Sequence, residues 1–263
     1  MKKYTHKLII IFLFLLTSSY GTALASINLE SNVSTLNVGE KAELSVMATY
    51  SDGSTSELDA NVAWIITPLL YGIDINNKVL TATRDGNISI QAKVGTTLSN
   101  PLNLTITWVV NGHTLPPEPD PVENDATLGG VDSNNNGVRD DVERKIYVTY
   151  PVKLQRALLM DGAIVFQKIV VRPVGEAQEI VKEVTKVLNC KSYLKLKDGR
   201  IRSNNFRVVK SLENLTYDTK ERVRKYLDYN IALSGGMYGG DYADINKNAC
   251  TAETINTLKE LGL

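Results

Sequence analysis

Polar and apolar residues alternate through much of the region from residue 26 to residue 110. The clearest stretch lies within residues 41–50, where the even-numbered positions are Ala42, Leu44, Val46, Ala48 and Tyr50. A repeat of two places these side chains on one face of a strand and the intervening ones on the other. Turn signals separate further short apolar runs. The pattern predicts about seven strands in an antiparallel β-sandwich, with Trp64 in its core.

Apolar residues follow a helical repeat from about residue 139 to the end of the chain. Four helices are predicted, over residues 140–147, 151–170, 174–188 and 219–233. Asp218 and Glu221 resemble a capping box at the start of the fourth helix. Thr251 is the expected N-cap of a short last helix. The two patterns together predict a multidomain fold, all-β plus all-α, with an α-helical domain at residues 144–263.

The first 25 residues have the composition of a secretory signal peptide. Lys2, Lys3 and Lys7 precede an apolar run from Leu8 to Leu16, and small residues lead to Ala25. A basic start, a short apolar stretch and small residues before the cleavage point are typical of export signals. A membrane anchor is the alternative, but the run is about half of the ~20 residues that span a bilayer. The sequence predicts an exported protein, periplasmic or extracellular, with no membrane span after cleavage.

The chain contains two cysteines, Cys190 and Cys250. An even cysteine count in an exported protein suggests a disulfide bond. A redox or metal-binding pair is the alternative, but neither a C-x-x-C motif nor a nearby histidine accompanies these residues. We therefore predict a Cys190–Cys250 disulfide that closes the helical domain.

A series of short motifs covers most of residues 26–110. In chain order they are Leu36–Glu40, Leu44–Val46, Thr49–Ser54, Val62–Trp64, Asp85–Ala92 and Leu102–Ile106. Together they resemble a bacterial immunoglobulin-like domain of group 2 (BIG2), a family found in intimin- and invasin-type adhesins and appended to secreted enzymes. The stretch Thr67–Gly72 departs from the family, in which serines are usual here. The resemblance implies a β-sandwich without enzymatic activity that acts as a spacer or, alternatively, as a binding surface.

Prolines are concentrated between the two predicted domains. Four of them occur among residues 116–121, within a segment from residue 111 to residue 131. Closely spaced prolines favour an extended, semi-rigid chain, so this segment is predicted to be a linker. His113 lies in it without other metal-ligand side chains beside it, and is expected to be solvated.

Residues 132–143 have the spacing of a calcium-binding loop. Oxygen-bearing side chains occupy positions 1, 3, 5, 9 and 12 of the loop, and Gly137 occupies position 6, where the chain turns sharply. A backbone carbonyl is available at position 7. The predicted calcium ligands are Asp132, Asn134, Asn136, Val138, Asp140 and Glu143. The alternative is a polar linker turn joined to an acidic helix start.

This loop resembles the loops of EF-hand, dockerin and thrombospondin type 3 proteins. It departs from a full EF-hand because the proline-rich segment and Leu128–Gly130 precede it in place of an entering helix. Asparagine replaces carboxylate at two positions, which suits the ~10⁻⁴–10⁻³ M calcium affinities of extracellular modules. We expect calcium to be a structural cofactor that fixes how the helical domain leaves the linker.

Charge is distributed unevenly, although the whole chain has a formal net charge of zero. The net charge is −4 over residues 26–108, −7 over residues 109–143 and +8 over residues 144–263. The basic helical domain is the expected contact for an anionic envelope polymer or glycan. The alternative is a solvated surface that partly docks on the acidic front half. The zero net charge argues against a nucleic-acid partner.

The sequence offers little for catalysis, and no catalytic residue is predicted. There are two histidines, His6 and His113, so schemes that move protons through imidazole are nearly excluded. The helical half resembles uncharacterised exported bacterial proteins, which implies no activity. The expected function is a non-enzymatic binding, adhesion or envelope-associated protein. The alternative is a carboxylate-dependent hydrolase of cell-envelope polysaccharide. A pocket with two carboxylates ~5–9 Å apart in the helical domain would indicate this activity.

Overall fold

The computed structural model describes residues 22–68, 73–202, 206–238 and 242–263. The predicted signal peptide lies outside these ranges up to residue 21, as does most of the stretch that departs from the BIG2 pattern. No helix among the described residues is long and apolar enough to span a membrane. Strands occur up to residue 114 and helices from residue 121 onward, which confirms the predicted order of β-sheets followed by helices.

Twelve strands are described in the first part of the chain. They are β1 (Leu24–Ser31), β2 (Thr35–Asn37), β3 (Lys41–Tyr50), β4 (Thr55–Glu57), β5 (Ala63–Thr67), β6 (Ile73–Asn76), β7 (Val79–Ala82), β8 (Gly86–Val94), β9 (Thr97–Leu98), β10 (Leu102–Thr107), β11 (Val109–Val110) and β12 (His113–Thr114). One sheet has the order β1–β3–β7–β6, with β4 also paired to β3. The second has the order β2–β10–β8–β5, with β9 also paired to β8. β2 and β10 run parallel, and β11 and β12 form a separate hairpin.

Both large sheets contribute apolar side chains to one core. Leu29, Val46 and Leu80 come from the first sheet and Ile90 and Leu104 from the second, and each is at most 2% exposed. Burial of such side chains is the main favourable term for folding, at about 1.5–3 kcal/mol for each large one. The two sheets are therefore held together by a common apolar interior.

The alternation predicted for β3 is confirmed, because its apolar side chains are buried at every second position from Ala42 to Ala48. Trp64 on β5 differs from its prediction. It packs against the core but remains partly exposed. The reason is that β5 is the last strand of its sheet, so neighbouring strands cover it from one side.

Eight α-helices are described in the second part of the chain. They are α1 (Pro121–Asp125), α2 (Asp140–Thr149), α3 (Lys153–Val171), α4 (Ala177–Lys195), α5 (Gly199–Arg202), α6 (Val208–Thr216), α7 (Lys220–Ala232) and α8 (Ala252–Glu260). The four longer helices predicted from the sequence correspond to α2, α3, α4 and α7. α6 lies in a region where no helix was predicted, although Val208, Leu212 and Thr216 recur every four residues and are buried, which is a helical signal.

The second core is built around α3, which contacts α2, α4, α6, α7 and α8. Leu154, Leu158 and Leu159 on this helix are completely buried. Gly162 permits the close approach of α6, since a Cβ atom at this position would lie 2.4 Å from the Leu212 side chain. A larger residue there would force the two helices apart, because protein interiors leave little free space.

Two helix starts can be compared with the predicted caps. The hydroxyl of Thr251 accepts a hydrogen bond from the Thr254 N–H at 3.2 Å, which confirms the cap of α8. At α7 the capping hydroxyl belongs to Thr219, which accepts from the Arg222 N–H at 3.2 Å. The capping role predicted for Asp218 is therefore wrong, and its carboxylate binds arginine side chains instead.

A disulfide bond joins Cys190 on α4 to Cys250, which directly precedes the cap of α8. The predicted pair is confirmed. The bond ties the C-terminal segment to a central helix across 60 residues of sequence.

The folded protein is expected to contain no free thiol, because both cysteines take part in the disulfide. Alkylation of the denatured protein should add no label before reduction and one label to each cysteine after it. Mass spectrometry of the intact chain measures both values. Labelling of both cysteines without reduction would contradict the bond.

Residues 111–131 differ from the extended linker that was expected. They contain β12 and α1, and the side chains of Leu115 and Asn124 are buried. Asp120 caps α1 by accepting from the N–H groups of Val122 and Glu123. The last proline of the run begins this helix, because its fixed φ angle and missing N–H suit the first helical position.

Candidate metal site

The predicted calcium loop turns around the side chain of Asp132. Its Oδ1 accepts from the N–H of Asn136 at 3.1 Å and its Oδ2 from the N–H of Gly137 at 2.9 Å. The N–H of Val138 donates to Oδ1 of Asn136 at 2.9 Å. Gly137 has a φ angle of +84°, in the region that glycine adopts most readily. The glycine is therefore located where the sharp turn was predicted.

Glu143, in the first turn of α2, has a completely buried side chain. Its Oε2 accepts from Nδ2 of Asn134 at 3.1 Å and from Nδ2 of Asn136 at 2.6 Å. Its Oε1 lies 2.6 Å from Nε2 of His113. Three polar groups from two separate parts of the chain thus converge on one buried carboxylate.

Asp140 is the second buried carboxylate of the loop, at 1% exposure. The N–H of Ser133 donates to both of its oxygens, at 3.1 and 3.2 Å. Burial raises the pKa of Asp140, the hydrogen bonds from Ser133 lower it, and the nearby carboxylates of Asp132 and Glu143 raise it further. The carboxylates of Asp132 and Glu143 therefore each lie close enough to Asp140 to disfavour its charged form, which is the electrostatic condition that a bound cation relieves.

His113 is not solvated in a linker, and that prediction is wrong. Its ring stacks on Tyr147, with 3.9 Å between the ring centroids, while Nε2 contacts Glu143. Beside it, Nδ2 of Asn111 donates to the carbonyl of Tyr147 at 2.9 Å. The β11–β12 hairpin therefore packs directly on α2, a contact that the local sequence does not reveal.

The five side chains predicted as ligands form two groups. Asn134, Asn136 and Glu143 contact one another, whereas Asp132 and Asp140 accept hydrogen bonds from backbone N–H groups of the loop. Across the described part of the chain, no three His, Cys, Asp or Glu side chains form a group that could hold a metal ion. A calcium site in this loop would therefore depend on asparagine oxygens and a backbone carbonyl as well as carboxylates.

A buried ion pair joins α2 to the strand-rich part, immediately after the loop. Arg144 donates to both oxygens of Asp85, at 2.6 and 2.9 Å, and to the carbonyl of Pro116 at 2.7 Å. Its guanidinium group also lies 5.2 Å from the centroid of the Trp108 ring. Both charged side chains are at most 7% exposed. Sequence analysis missed this pair, because nothing in the local sequence links residues so far apart.

A second buried arginine cluster holds the segment before the loop. Arg139 and Arg222 are completely buried, and each donates to Asp218 at 2.8 Å. Arg139 also binds Asp141, two residues further along the loop. Arg222 donates to Asp125 and to backbone carbonyls at residues 124, 127 and 128. The cluster links the predicted calcium loop to α7.

A cavity of about 660 Å³ lies elsewhere, between α4 and the described residues near position 244. Its described lining contains one carboxylate, that of Asp244, together with Lys182 and Lys186. The pair of carboxylates expected for a glycoside hydrolase is not present among these lining residues. The hydrolase alternative therefore gains no support from this cavity.

Comparison with known proteins does not assign the chain to a family. No protein-family model and no curated protein matches the chain. Among solved structures, it is similar to one titled as a polysaccharide lyase, with 13% sequence identity and a TM-score of 0.23. The match covers 90% of this chain and 38% of the lyase, so the chain spans well under half of that protein's length.

The expected non-enzymatic binding or adhesion role conflicts with this neighbour, whose title names an enzyme. That prediction is corrected accordingly, and the role is withdrawn. At 13% identity and a TM-score of 0.23, the likeness does not assign the activity of the lyase to this chain. A function proposed for this chain must therefore rest on the geometry of its own residues.

Proposed function

We propose that residues 132–143 bind calcium, and that the ion stabilises the junction between the strand-rich and helical parts of an exported protein. The observation that carries this proposal is the convergence of Asn134, Asn136 and His113 on the buried carboxylate of Glu143. A buried carboxylate needs a positive partner or several hydrogen bonds. A divalent cation at this position would compensate several loop carboxylates at once.

The donor set suits calcium better than other common ions. Carboxylates, amide oxygens and a backbone carbonyl are hard oxygen ligands, which calcium takes in sets of six to eight. The six predicted ligands are Asp132, Asn134, Asn136, Val138, Asp140 and Glu143. Magnesium requires nearly ideal octahedral geometry and retains water, so it should replace calcium poorly.

Binding would change the orientation of two side-chain amides. The nitrogens of Asn134 and Asn136 face Glu143 in the structure, whereas a cation is bound by the amide oxygen. Calcium would therefore replace two hydrogen bonds to Glu143, and its net effect on stability should be modest.

The position of the loop connects the site to the two-part architecture. Glu143 lies on α2 and contacts the β11–β12 hairpin through His113, and the next residue, Arg144, forms the buried pair with Asp85. An ion held by the loop would thus stabilise the start of α2 where it meets the strands. The proposal includes an immunoglobulin-like sandwich for the two sheets, supported by their shared core, and export, supported by the disulfide.

Calcium is expected to raise the free energy of unfolding by about 1.4 kcal/mol at 1 mM, for a dissociation constant near ~10⁻⁴ M. The gain is RT ln(1 + [Ca²⁺]/Kd), because the ion binds the folded loop alone. Isothermal titration should detect binding, and thermal melting should shift upward by a few degrees. Magnesium at the same concentration should produce a much smaller shift.

Glu143→Gln should remove most of the calcium-dependent shift, because it removes the charge of the bidentate ligand. The matched control is Glu123→Gln, the same chemical change at an exposed position of α1, which should leave the shift intact. Absence of both heat and melting shift at several millimolar calcium would overturn the proposal and leave the loop as a polar turn.

A further inference from the structure

Several polar side chains line the cavity beside the disulfide. It lies between α4, which supplies Lys182, Lys186 and Asn189, and a C-terminal wall that includes Asp244 and Asn248. Its volume of about 660 Å³ lies within the range of small-molecule sites. The cavity is separate from the predicted calcium loop, since none of its lining residues belongs to residues 132–143.

Asn189 is the most informative residue of this lining. It is 9% exposed, yet its amide makes no hydrogen bond to any other described residue. Its amide atoms keep accessible surface, because the described buried side-chain atoms that lack a hydrogen-bond partner belong to Thr216 and Tyr217. Its remaining accessible surface is in the cavity, so a ligand there can provide the missing partner.

Further free polar groups surround the same space. Among the described residues, the ammonium group of Lys186 and the carboxylate of Asp244 form no ion pair, whereas Lys182 is paired with Glu179 at the surface. The amide of Asn246 is engaged within the protein, because it accepts from the N–H of Asn248 and donates to a carbonyl at residue 243. These two bonds hold the C-terminal wall in place.

An exposed apolar edge completes the cavity. Met237 is fully exposed and Tyr238 is 42% exposed, and both line the opening. Tyr238 also borders a neighbouring apolar cavity of about 300 Å³, whose lining includes Tyr226 and Tyr229. A partly exposed tyrosine ring offers a flat surface for stacking and a hydroxyl for hydrogen bonding.

We propose that this cavity binds an acidic saccharide, namely a short oligosaccharide that contains uronic acid. A pyranose ring has an apolar face of C–H groups that fits Tyr238, and hydroxyls around its edge that fit Asn189, Asn248 and Asp244. The carboxylate of a uronic acid provides a partner for Lys186.

Charge favours an acidic over a neutral sugar. Lys182 is already paired with Glu179, so the positive charge available to a ligand is that of Lys186, which lies within residues 144–263, where basic residues are in excess.

The experiment is isothermal titration of the whole disulfide-bonded protein with trigalacturonate. Calcium-free buffer is required, because uronates themselves bind calcium. Maltotriose is the neutral sugar control and succinate is the control for a carboxylate without a sugar ring. Saturable binding of trigalacturonate, with at least about tenfold weaker binding of both controls, is expected from the loss of either the charged or the ring contacts.

Variants connect binding to the cavity. Lys186→Gln should weaken trigalacturonate binding by about tenfold, while Lys220→Gln, the same change at an exposed position of α7, should have no effect. Asn189→Ala should weaken binding by about three- to tenfold without lowering the melting temperature, because its amide has no protein partner.

Three results would overturn the proposal. The first is no saturable heat with trigalacturonate at millimolar concentration. The second is equal affinity for trigalacturonate and either control ligand. The third is an identical response of Lys186→Gln and Lys220→Gln, which would place any binding outside the cavity.

Discussion

Replacing Arg144 by methionine is expected to lower the free energy of unfolding by about 3–5 kcal/mol. The substitution keeps much of the side-chain volume but removes the positive charge. Asp85 would then remain as an unpaired carboxylate at 6% exposure, and the carbonyl of Pro116 would lose its donor. An uncompensated buried charge is among the most destabilising changes that a single substitution makes.

Denaturant unfolding followed by circular dichroism measures this loss. The matched control is Lys145→Met, the same type of change at the adjacent, exposed position, which should alter stability by less than about 0.5 kcal/mol. Combining Arg144→Met with Asp85→Leu should recover much of the loss, because both charges are then absent from the buried site. Similar losses for Arg144→Met and Lys145→Met would contradict the importance of the pair.

Replacing Arg222 by methionine is expected to cost about 3–4 kcal/mol. This side chain is completely buried and donates to two carboxylates and three backbone carbonyls. The carbonyls belong to α1 and the segment that follows it, so the substitution should release this segment from α7. Arg139 would still bind Asp218, which limits the electrostatic part of the loss.

Arg224→Met is the control for this second substitution, since residue 224 is on the same helix and is exposed. Hydrogen exchange provides a local measurement, because only loss of Arg222 should speed exchange of amides in residues 121–130. Slow exchange there in the Arg222→Met protein would show that other contacts hold the segment.

Much of the local structure could be predicted from the sequence, because its causes lie within a few residues of one another. The alternation on β3 depends on neighbouring side chains of one strand, and it is confirmed by burial. The cap at Thr251 depends on an N–H three residues later. The same holds for the turn at Gly137, where the φ angle of +84° is a property of one residue.

The predicted calcium residues were identified for the same reason. Their spacing lies within twelve residues, and the structure brings Asn134 and Asn136 onto Glu143. Calcium binding itself remains a prediction, since spacing and side-chain contacts do not measure affinity. The Cys190–Cys250 bond is a longer-range prediction that succeeded because the chain has two cysteines and therefore one possible pair within it.

Tertiary structure alone decided which distant residues meet. His113 contacts a residue 30 positions away, and Arg144 binds Asp85 at a separation of 59 positions. No periodic pattern or short motif encodes such pairs, because they arise only after sheets and helices have packed. The unpartnered amide of Asn189 is a similar case, since a helical repeat places it on α4 but only the packed C-terminal segment creates the cavity beside it. The sequence by itself thus determined the elements, the disulfide and the loop, whereas packing determined the junction and the cavity.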